Sequence, residues 1–304
     1  MLHCIPWLRN WLILAVNITL RSTLQLLRFH FSFFLMPVYW FALSQVNQIN
    51  TSNAILIFII LHILVYPASN GYNSFMDRDT GSVGGIRNPL QPTKQLFHIT
   101  VIMDIVAIAL SLLLTPLFAL GILLYILASR AYSWRGIRLK KYPLIGYLTV
   151  VIFQGAATFF LVYHGSESSH STNVPLIAMI AASLLIGGFY PLTQIYQHEE
   201  DLKDGVKTIS YKLGYKGTFI FTGIVYALAF SMLALQFSLN LEWDRFLILQ
   251  IFMAPVLVYF FIWFRKVWLN EKEANFNNTM RMNLLASTCT NAGFITILIL
   301  RLIE

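Results

Sequence analysis

The chain has 304 residues, of which 57% are hydrophobic and only 11% are charged, and its mean hydropathy is +0.67. Because a soluble domain carries about 25% charged residues, this composition excludes an ordinary soluble protein and predicts an all-α, polytopic membrane protein whose solvent is the lipid bilayer. The net charge of +8 is spread over loops between apolar runs, with no basic domain. We therefore expect anionic lipid headgroups, and no nucleic acid, as the counterpart of this charge.

Residues 1–28 precede the first long apolar run and are predicted to form a separate N-terminal interfacial segment. Their short apolar run is interrupted or flanked by Arg9, Arg21 and Arg28, and the small residues that follow the apolar run of a signal peptide are absent. A helix lying on the membrane surface fits this pattern better than an additional span. Residues 29–304 are predicted to form the transmembrane domain.

Nine apolar runs follow in chain order, each near the roughly 20 residues that a helix needs to cross a bilayer. The break between the third and fourth runs rests on Thr115 and Pro116 alone, so eight spans is the alternative. We place the nine spans near residues 29–48, 53–69, 97–115, 117–132, 143–163, 174–196, 215–238, 246–264 and 283–303.

Basic residues are distributed unevenly over the two sides that nine spans create. Of the 21 Lys and Arg residues, all except Arg245 and Arg301 fall on the side of the N-terminus. Since cytoplasmic loops are enriched in Lys and Arg, we expect this side to face the cytoplasm, in a bacterial-type inner or plasma membrane. Eight spans would remove this bias, so the distribution favours nine.

Two polar islands interrupt the apolar pattern, at residues 70–79 after the second span and at residues 197–205 after the sixth. Only 13 residues of the chain are acidic, and six of them lie in these islands. The matched positions indicate a weak internal repeat, in which two helical halves bring the islands together over a central cavity. The alternative is that their charges only keep helix ends in water.

Side chains with oxygen atoms recur at helical spacing in both islands. Asn73 and Asp77 are four residues apart and share one face of a helix end, and Asn70 lies one turn earlier. Gln197 and Asp201 repeat the four-residue spacing in the second island. Because Mg²⁺ takes oxygen ligands and is usually held by one or two carboxylates together with substrate phosphates, the two islands predict a Mg²⁺ site.

The same residues resemble a known family of membrane enzymes. Asn73-x-x-x-Asp77 looks like the first aspartate-rich motif of the UbiA family of intramembrane prenyltransferases. Asp201-x-x-x-Gly205-x-x-Thr208 looks like the end of the second motif of that family. The resemblance runs from about residue 29 onward and includes, after the fourth span, the residues Tyr132, Ser133, Arg138, Lys140 and Lys141.

This resemblance implies about nine transmembrane helices bundled around a central cavity. It also implies Mg²⁺-dependent transfer of a prenyl group from a prenyl diphosphate to a lipophilic acceptor within the membrane, with Asp77 and Asp201 as catalytic residues. The implied metal ligands are Asn73, Asp77, Gln197, Glu200 and Asp201. The implied substrate-binding residues are Asn70, Asn73, Arg87, Tyr132, Lys140 and Lys207.

Two positions depart from the family pattern. The last aspartate of the first motif falls at Gly81, and the first aspartate of the second motif falls at Gln197. These departures leave open a catalytically degenerate member that binds isoprenoid lipid. A multi-span transporter is a second alternative, although Asp104 is the main charged residue inside a predicted span. The acidic residues available to replace the missing carboxylates are Asp79, Glu199 and Glu200.

Overall fold

The computed structural model describes residues 19–78 and 80–304, and within these residues the chain forms a bundle of long helices without β-strands. Among the described residues, eight helices are long and apolar enough to cross a membrane, and a bent pair of helices makes a ninth candidate when it is counted as one span. The all-α, polytopic fold is thereby confirmed. The spans are α1 (Thr19–Phe34 with Met36–Gln45), α2 (Thr51–Asp77), α3 (Lys94–Ser111), α4 (Pro116–Ser133), α5 (Pro143–Ser166), α6 (Leu176–Gln194), α7 (Ile209–Leu239), α8 (Trp243–Leu269) and α9 (Phe276–Ile303).

The first span, α1, begins earlier than predicted and is bent by 41°. Its first helical stretch ends at Arg28, whose backbone is left-handed with a φ of 51°. A 3₁₀ turn over Phe29–Phe34 follows, and the second half begins at Met36 with Pro37 in its first turn, a position where proline is tolerated in a helix. Residues 1–18 of the predicted interfacial segment lie outside the described residues, so that assignment stays a prediction.

The break between α3 and α4 lies at Thr115 and Pro116, as the sequence predicts. α3 ends at Ser111, and α4 begins at Pro116. The hydroxyl of Thr115 caps α4 by accepting a hydrogen bond of 3.0 Å from the backbone N–H of Phe118. Pro116 fits the first helical position because the N–H that it lacks would have no partner within the helix there. The two apolar runs are therefore separate spans.

An aromatic core fills the half of the bundle that lies away from the two islands. The ring of Phe41 in α1 stacks on Phe294 of α9, with 4.6 Å between centroids, and meets the edge of Phe159 of α5 at 5.0 Å. All three side chains are fully buried. Because this packing closes the far half of the bundle, the open space between the helices lies toward the islands.

The helices α2, α5 and α7 each contain a departure from regular α-helical geometry. α2 and α5 each contain a π-helical stretch, at Ile59–Val65 and Ile152–Ala157, a distortion that often occurs at functional sites. α7 is kinked at Gly214, whose φ of 68° is readily adopted by glycine. Of these distortions, the stretch in α5 contributes directly to the open space, because Phe153 and Gln154 line it.

Candidate active site

A cavity of about 220 Å³ lies among α1, α2, α4, α5, α6 and α9, and both islands contribute to its wall. The first island supplies Asn70, Asn73 and Asp77, and the second supplies Gln197 and Asp201. The structure thus brings together the two loops that the sequence pairs by their spacing, although they follow different helices.

Asn73 and Asp77 occupy the last turns of α2 and lie on one face of the helix. The Nδ2 group of Asn73 donates hydrogen bonds to Asp77 Oδ2 at 2.8 Å and to Ser133 Oγ of α4 at 3.1 Å. Asn73 therefore orients the carboxylate and joins α2 to α4. Asp77 is only 8% exposed, and a buried carboxylate requires partners for its charge.

Two cations from the loop between α4 and α5 supply those partners. Lys140 Nζ lies 2.5 Å from Asp77 Oδ2, and Arg138 Nη2 lies 3.7 Å from Asp77 Oδ1. Lys140 and Arg138 are buried themselves. Oδ1 of Asp77 receives no hydrogen bond from any of the described residues, so one oxygen of this buried carboxylate is available to a ligand.

The second island folds into a short helix, His198–Lys203, which we call the loop helix. It places Asp201 in the cavity wall. Gln197, immediately before it, donates from Nε2 to the backbone carbonyl of Ser82 at 3.3 Å. This hydrogen bond connects the second island directly to the loop that follows the first.

His198 holds the loop helix against α7. The imidazole is 6% exposed, its Nε2 lies 2.8 Å from Ser210 Oγ, and its ring stacks on that of Tyr215 with 5.0 Å between centroids. Burial lowers the pKa of His198 from 6.5 to about 4, so the ring is neutral at neutral pH. His198 does not line the cavity, which makes it a packing residue of the loop helix.

Asp204 fastens the second island to the loop between α4 and α5. Its carboxylate forms an ion pair with Arg138 and lies 3.3 Å from Arg135 Nη1. Arg135 Nε also donates to the backbone carbonyl of Met76 at 2.8 Å. Because Arg138 lies near Asp77 as well, one guanidinium connects carboxylates of both islands and fixes their relative positions.

At Gly81, where the family resemblance predicts the last aspartate of the first motif, a neighbouring side chain fills the space beside the backbone. A Cβ atom placed on Gly81 would lie 2.8 Å from Cγ and 3.0 Å from Oε1 of Glu200. The Glu200 side chain therefore occupies the volume that a larger residue at position 81 would need. Glu200 pairs with Lys203 at 3.1 Å and is not among the residues that line the cavity.

Of the three cations implied to bind phosphate, only Lys140 lies in the cavity wall. Arg87 is exposed, binds Asn277, and lies over the ring of Phe276 with 5.5 Å between the guanidinium carbon and the ring centroid. Lys207 is exposed on the loop between the loop helix and α7. Both residues lie in the loops that follow the two islands, as the sequence predicts, but the side chains that they contact are known only from the fold.

Tyr132 lines the cavity, as the family resemblance implies, and its hydroxyl forms a hydrogen bond with that of Tyr190 in α6. This bond connects α4 to α6 across the wall. Asp79, one of the acidic residues proposed to replace a missing carboxylate, lies outside the described residues.

Arg28 is a cation of the site that the sequence did not indicate, because it flanks the predicted interfacial segment. The bend of α1 carries it inward, where Nη2 donates to the carbonyl of Asn70 at 2.9 Å and to Asn73 Oδ1 at 3.4 Å. Its guanidinium packs on Gly84, where a Cβ atom would lie 1.8 Å from Nη1. Glycine at position 84 is therefore required for Arg28 to reach the cavity.

The remaining residues of the cavity wall are uncharged, and many of them carry aromatic rings. A second cavity of about 360 Å³ adjoins the first, and Phe34, Ile186 and Phe189 line both. None of the residues that line the second cavity is charged. The rings in the wall of the first cavity are Phe31, Phe34, Tyr125, Tyr132, Phe153, Phe189, Tyr190 and Tyr196.

The oxygen atoms of the site suit a single Mg²⁺ ion. The described residues contain no group of three or more His, Cys, Asp or Glu residues placed to hold a metal. Asp77 and Asp201 nevertheless share a wall with the amide groups of Asn73 and Gln197, and Mg²⁺ is commonly held by one or two carboxylates with phosphate oxygens completing its coordination. The observation that supports this fit is Oδ1 of Asp77, which receives no hydrogen bond from the described residues and has only the distant charge of Arg138 beside it.

A family model described as the UbiA prenyltransferase family matches residues 34–285, which include both islands. The chain belongs to the UbiA prenyltransferase family. The family resemblance drawn from the two motifs is confirmed, and the departures at Gly81 and Gln197 stay predictions. A search of curated proteins found no match.

Several solved structures of UbiA homologues share the fold. The homologue from Archaeoglobus fulgidus bound to DMAPP and Mg²⁺ has a TM-score of 0.67 at 20% identity, covering 91% of this chain and 99% of that chain. The same homologue bound to GPP and Mg²⁺ has a TM-score of 0.64 at 17% identity, with 91% and 99% covered. The apo homologue from Aeropyrum pernix K1 has a TM-score of 0.63 at 20% identity, with 88% and 97% covered. At these identities the likeness establishes the fold of this UbiA protein.

Proposed function

We propose that this UbiA protein transfers a prenyl group from a prenyl diphosphate to a lipophilic acceptor in a Mg²⁺-dependent reaction that releases diphosphate. The observation that carries the proposal is one cavity whose wall joins Asp77, Asp201 and Lys140 to aromatic rings. A diphosphate requires the charged end, and an isoprenoid chain requires the apolar end. The match to homologues that bind DMAPP or GPP with Mg²⁺ supports this assignment.

The charged residues are suited to stabilise a diphosphate leaving group. When the allylic C–O bond breaks, its electron pair stays with the diphosphate, and fixed cations lower the energy of the charge that develops. Lys140 and Arg28 line the cavity beside the first island and are the cations placed to contact phosphate. Held by Asp77 and Asp201, Mg²⁺ would supply further neutralisation of that charge.

The aromatic wall suits the other product of that bond cleavage. An allylic cation is attracted to ring faces by up to about 2 kcal/mol when it is shielded from water. Tyr125 and Phe153 lie in the wall on α4 and α5, beyond the islands. The nucleophile of the acceptor then forms its bond to the allylic carbon and loses a proton, and exclusion of water by the apolar wall prevents hydrolysis.

Asp104, the main charged residue inside a predicted span, is paired with a cation and does not support the transporter alternative. Its Oδ2 accepts a hydrogen bond of 2.9 Å from Arg130 Nε of α4, and Arg130 also lies over the ring of Tyr72 at 3.9 Å. Asp104 is absent from both cavity walls, so it joins α2, α3 and α4 and marks no path for an ion. Asp104 therefore gives no support to a transporter. We keep the proposal, which rests on the distribution of Lys and Arg, that both islands face the cytoplasm of a bacterial-type membrane.

The test is release of diphosphate by the purified protein in lipid nanodiscs that also contain a pool of lipophilic alcohols and phenols as acceptors. Geranyl diphosphate and geranylgeranyl diphosphate are each titrated over Mg²⁺ and in EDTA. Asp77→Asn and Asp201→Asn should each lower turnover by about 100-fold or more, by analogy with the loss of one preorganised charge-stabilising group. Glu199→Gln is the matched control, because Glu199 is an exposed residue of the loop helix outside the cavity wall.

Near-wild-type turnover in both aspartate variants would reject the site. Binding of either diphosphate without turnover at any Mg²⁺ concentration would instead identify a catalytically degenerate protein that retains isoprenoid lipid.

A further inference from the structure

Asn283 is a buried amide in the cavity wall that has no hydrogen-bond partner among the described residues. It lies two turns into α9, is 1% exposed, and lines the first cavity. Neither Nδ2 nor Oδ1 has a hydrogen-bond partner among the described residues. Because most buried polar side-chain atoms in native proteins are hydrogen-bonded, and an unsatisfied one destabilises the fold, this amide indicates a ligand group.

Asn283 lies at the boundary between the two cavities. Asn283 lines the first cavity, whereas its neighbour Met282 and the next turn at Ala286 line the second. Phe34 and Phe189, from α1 and α6, line both. A molecule that contacts Asn283 can therefore extend into the apolar second cavity while its polar end faces the first.

The residues around Asn283 favour an uncharged polar end for this molecule. The cations of the first cavity, Arg28 and Lys140, both contact the first island, and the second cavity has no charged lining residue. An amide both donates and accepts hydrogen bonds, which suits a neutral hydroxyl or carbonyl. Another unpartnered amide atom, Gln194 Oε1 of α6, belongs to the same wall and adds an acceptor for a hydroxyl hydrogen.

We propose that Asn283 binds an uncharged hydroxyl of the acceptor, an alcohol or phenol whose apolar body lies in the second cavity. Asn283 is then a specificity-determining residue that distinguishes a neutral acceptor from a carboxylated or phosphorylated one. This inference rests on the proposed prenyl transfer for the identity of the ligand as the acceptor.

The experiment uses three probes with the same ring system: 1-naphthol, 1-methylnaphthalene and 1-naphthoate. Equilibrium dialysis against protein-loaded and empty nanodiscs separates binding from partition into lipid. The wild type should bind 1-naphthol about five- to tenfold more tightly than either other probe, the preference expected of one or two hydrogen bonds. Asn283→Leu and Asn283→Met should each remove this preference while keeping affinity for 1-methylnaphthalene.

Asn291→Leu is the matched control. Asn291 is a buried amide of the same helix, lines neither cavity, and donates from Nδ2 to the carbonyl of Phe33 at 3.2 Å. It should keep the preference for 1-naphthol. Using two Asn283 variants ensures that a packing defect in one leaves the other informative, and gel filtration and thermal unfolding establish that each variant is folded.

An Asn283 variant that is folded and still prefers 1-naphthol would overturn the inference, as would a wild type with no preference or an equal loss in Asn291→Leu. Diphosphate release from geranyl diphosphate is measured on the same protein preparations with Mg²⁺ and the pool of lipophilic alcohols and phenols as acceptors. If that reaction fails while the preference depends on Asn283, the proposed function is wrong and Asn283 still binds a neutral ligand. If the reaction succeeds and the preference ignores Asn283, only this inference fails.

Discussion

Replacing Gly81 with the aspartate that the family motif has at this position tests whether the Glu200 carboxylate takes over the role of that aspartate. A Cβ on Gly81 would approach Glu200 Cγ to 2.8 Å, against an ordinary contact of 3.4–4 Å, so Glu200 must move in any variant. In Gly81→Asp it also meets a second carboxylate. Two like charges 4 Å apart repel by about 4 kcal/mol at an effective dielectric constant of 20.

The net effect is smaller, because Glu200 is about one-third exposed and can turn away. Its side chain is 33% exposed, and turning away gives up the pair with Lys203, a surface ion pair worth about 0–1 kcal/mol. We therefore expect Gly81→Asp to lower the free energy of unfolding in EDTA by about 1–2 kcal/mol. Mg²⁺ should restore it, since a divalent cation binds between carboxylates.

The assay is thermal unfolding in nanodiscs with EDTA and with Mg²⁺. Gly81→Ala introduces the Cβ contact without charge and is the steric control. Gly81→Asp combined with Glu200→Gln should behave like Gly81→Ala in EDTA, because the repulsion is gone. If Gly81→Asp is as stable as Gly81→Ala in EDTA, or if Mg²⁺ fails to stabilise it, Glu200 does not stand in for the missing carboxylate.

Three further predictions concern the scaffold and its orientation. Asp104→Ala should destabilise the protein by about 2 kcal/mol, because the partly buried guanidinium of Arg130 loses its carboxylate. Asp104→Leu combined with Arg130→Met should cost less. Thermal unfolding compares the two, and equal losses would contradict the pairing argument. Because His198 has a pKa of about 4 when folded against 6.5 when unfolded, its protonation favours the unfolded chain. Stability should therefore fall as pH drops from 6.5 toward 4, and His198→Gln should flatten the melting temperature over pH 7.5 to 5; identical slopes would refute a buried neutral ring. In a cysteine-free chain, an impermeant external reagent should label Ser168→Cys but not Ser82→Cys, and labelling of both from one side would end the nine-span topology.

Local spacing was sufficient to predict the parts of the site that lie on one helix end. Asn73 and Asp77 are four residues apart, and the structure joins them by a hydrogen bond of 2.8 Å. The Thr115 cap likewise marks the start of α4 in the sequence itself. These features depend on helix geometry, which a few consecutive residues determine.

Contacts between distant segments could not be predicted in this way. Arg28 reaches Asn70 only because α1 bends and Gly84 leaves room for the guanidinium. Glu200 fills the space at Gly81 only because the two islands fold against each other. In the sequence, Arg28 is a flanking charge and Glu200 is one of three adjacent acidic residues, and neither pattern specifies a partner.

The central claim is tested most directly by the stoichiometry of products in a single reaction. The wild type, in nanodiscs that contain lipids extracted from its native membrane, receives isotopically labelled geranylgeranyl diphosphate with Mg²⁺, and mass spectrometry follows lipid extract and diphosphate together. The account predicts one labelled, prenylated lipid for each diphosphate released, and neither product from Asp77→Asn. Release of diphosphate with only free geranylgeraniol, or no release at all, would contradict prenyl transfer to a lipophilic acceptor.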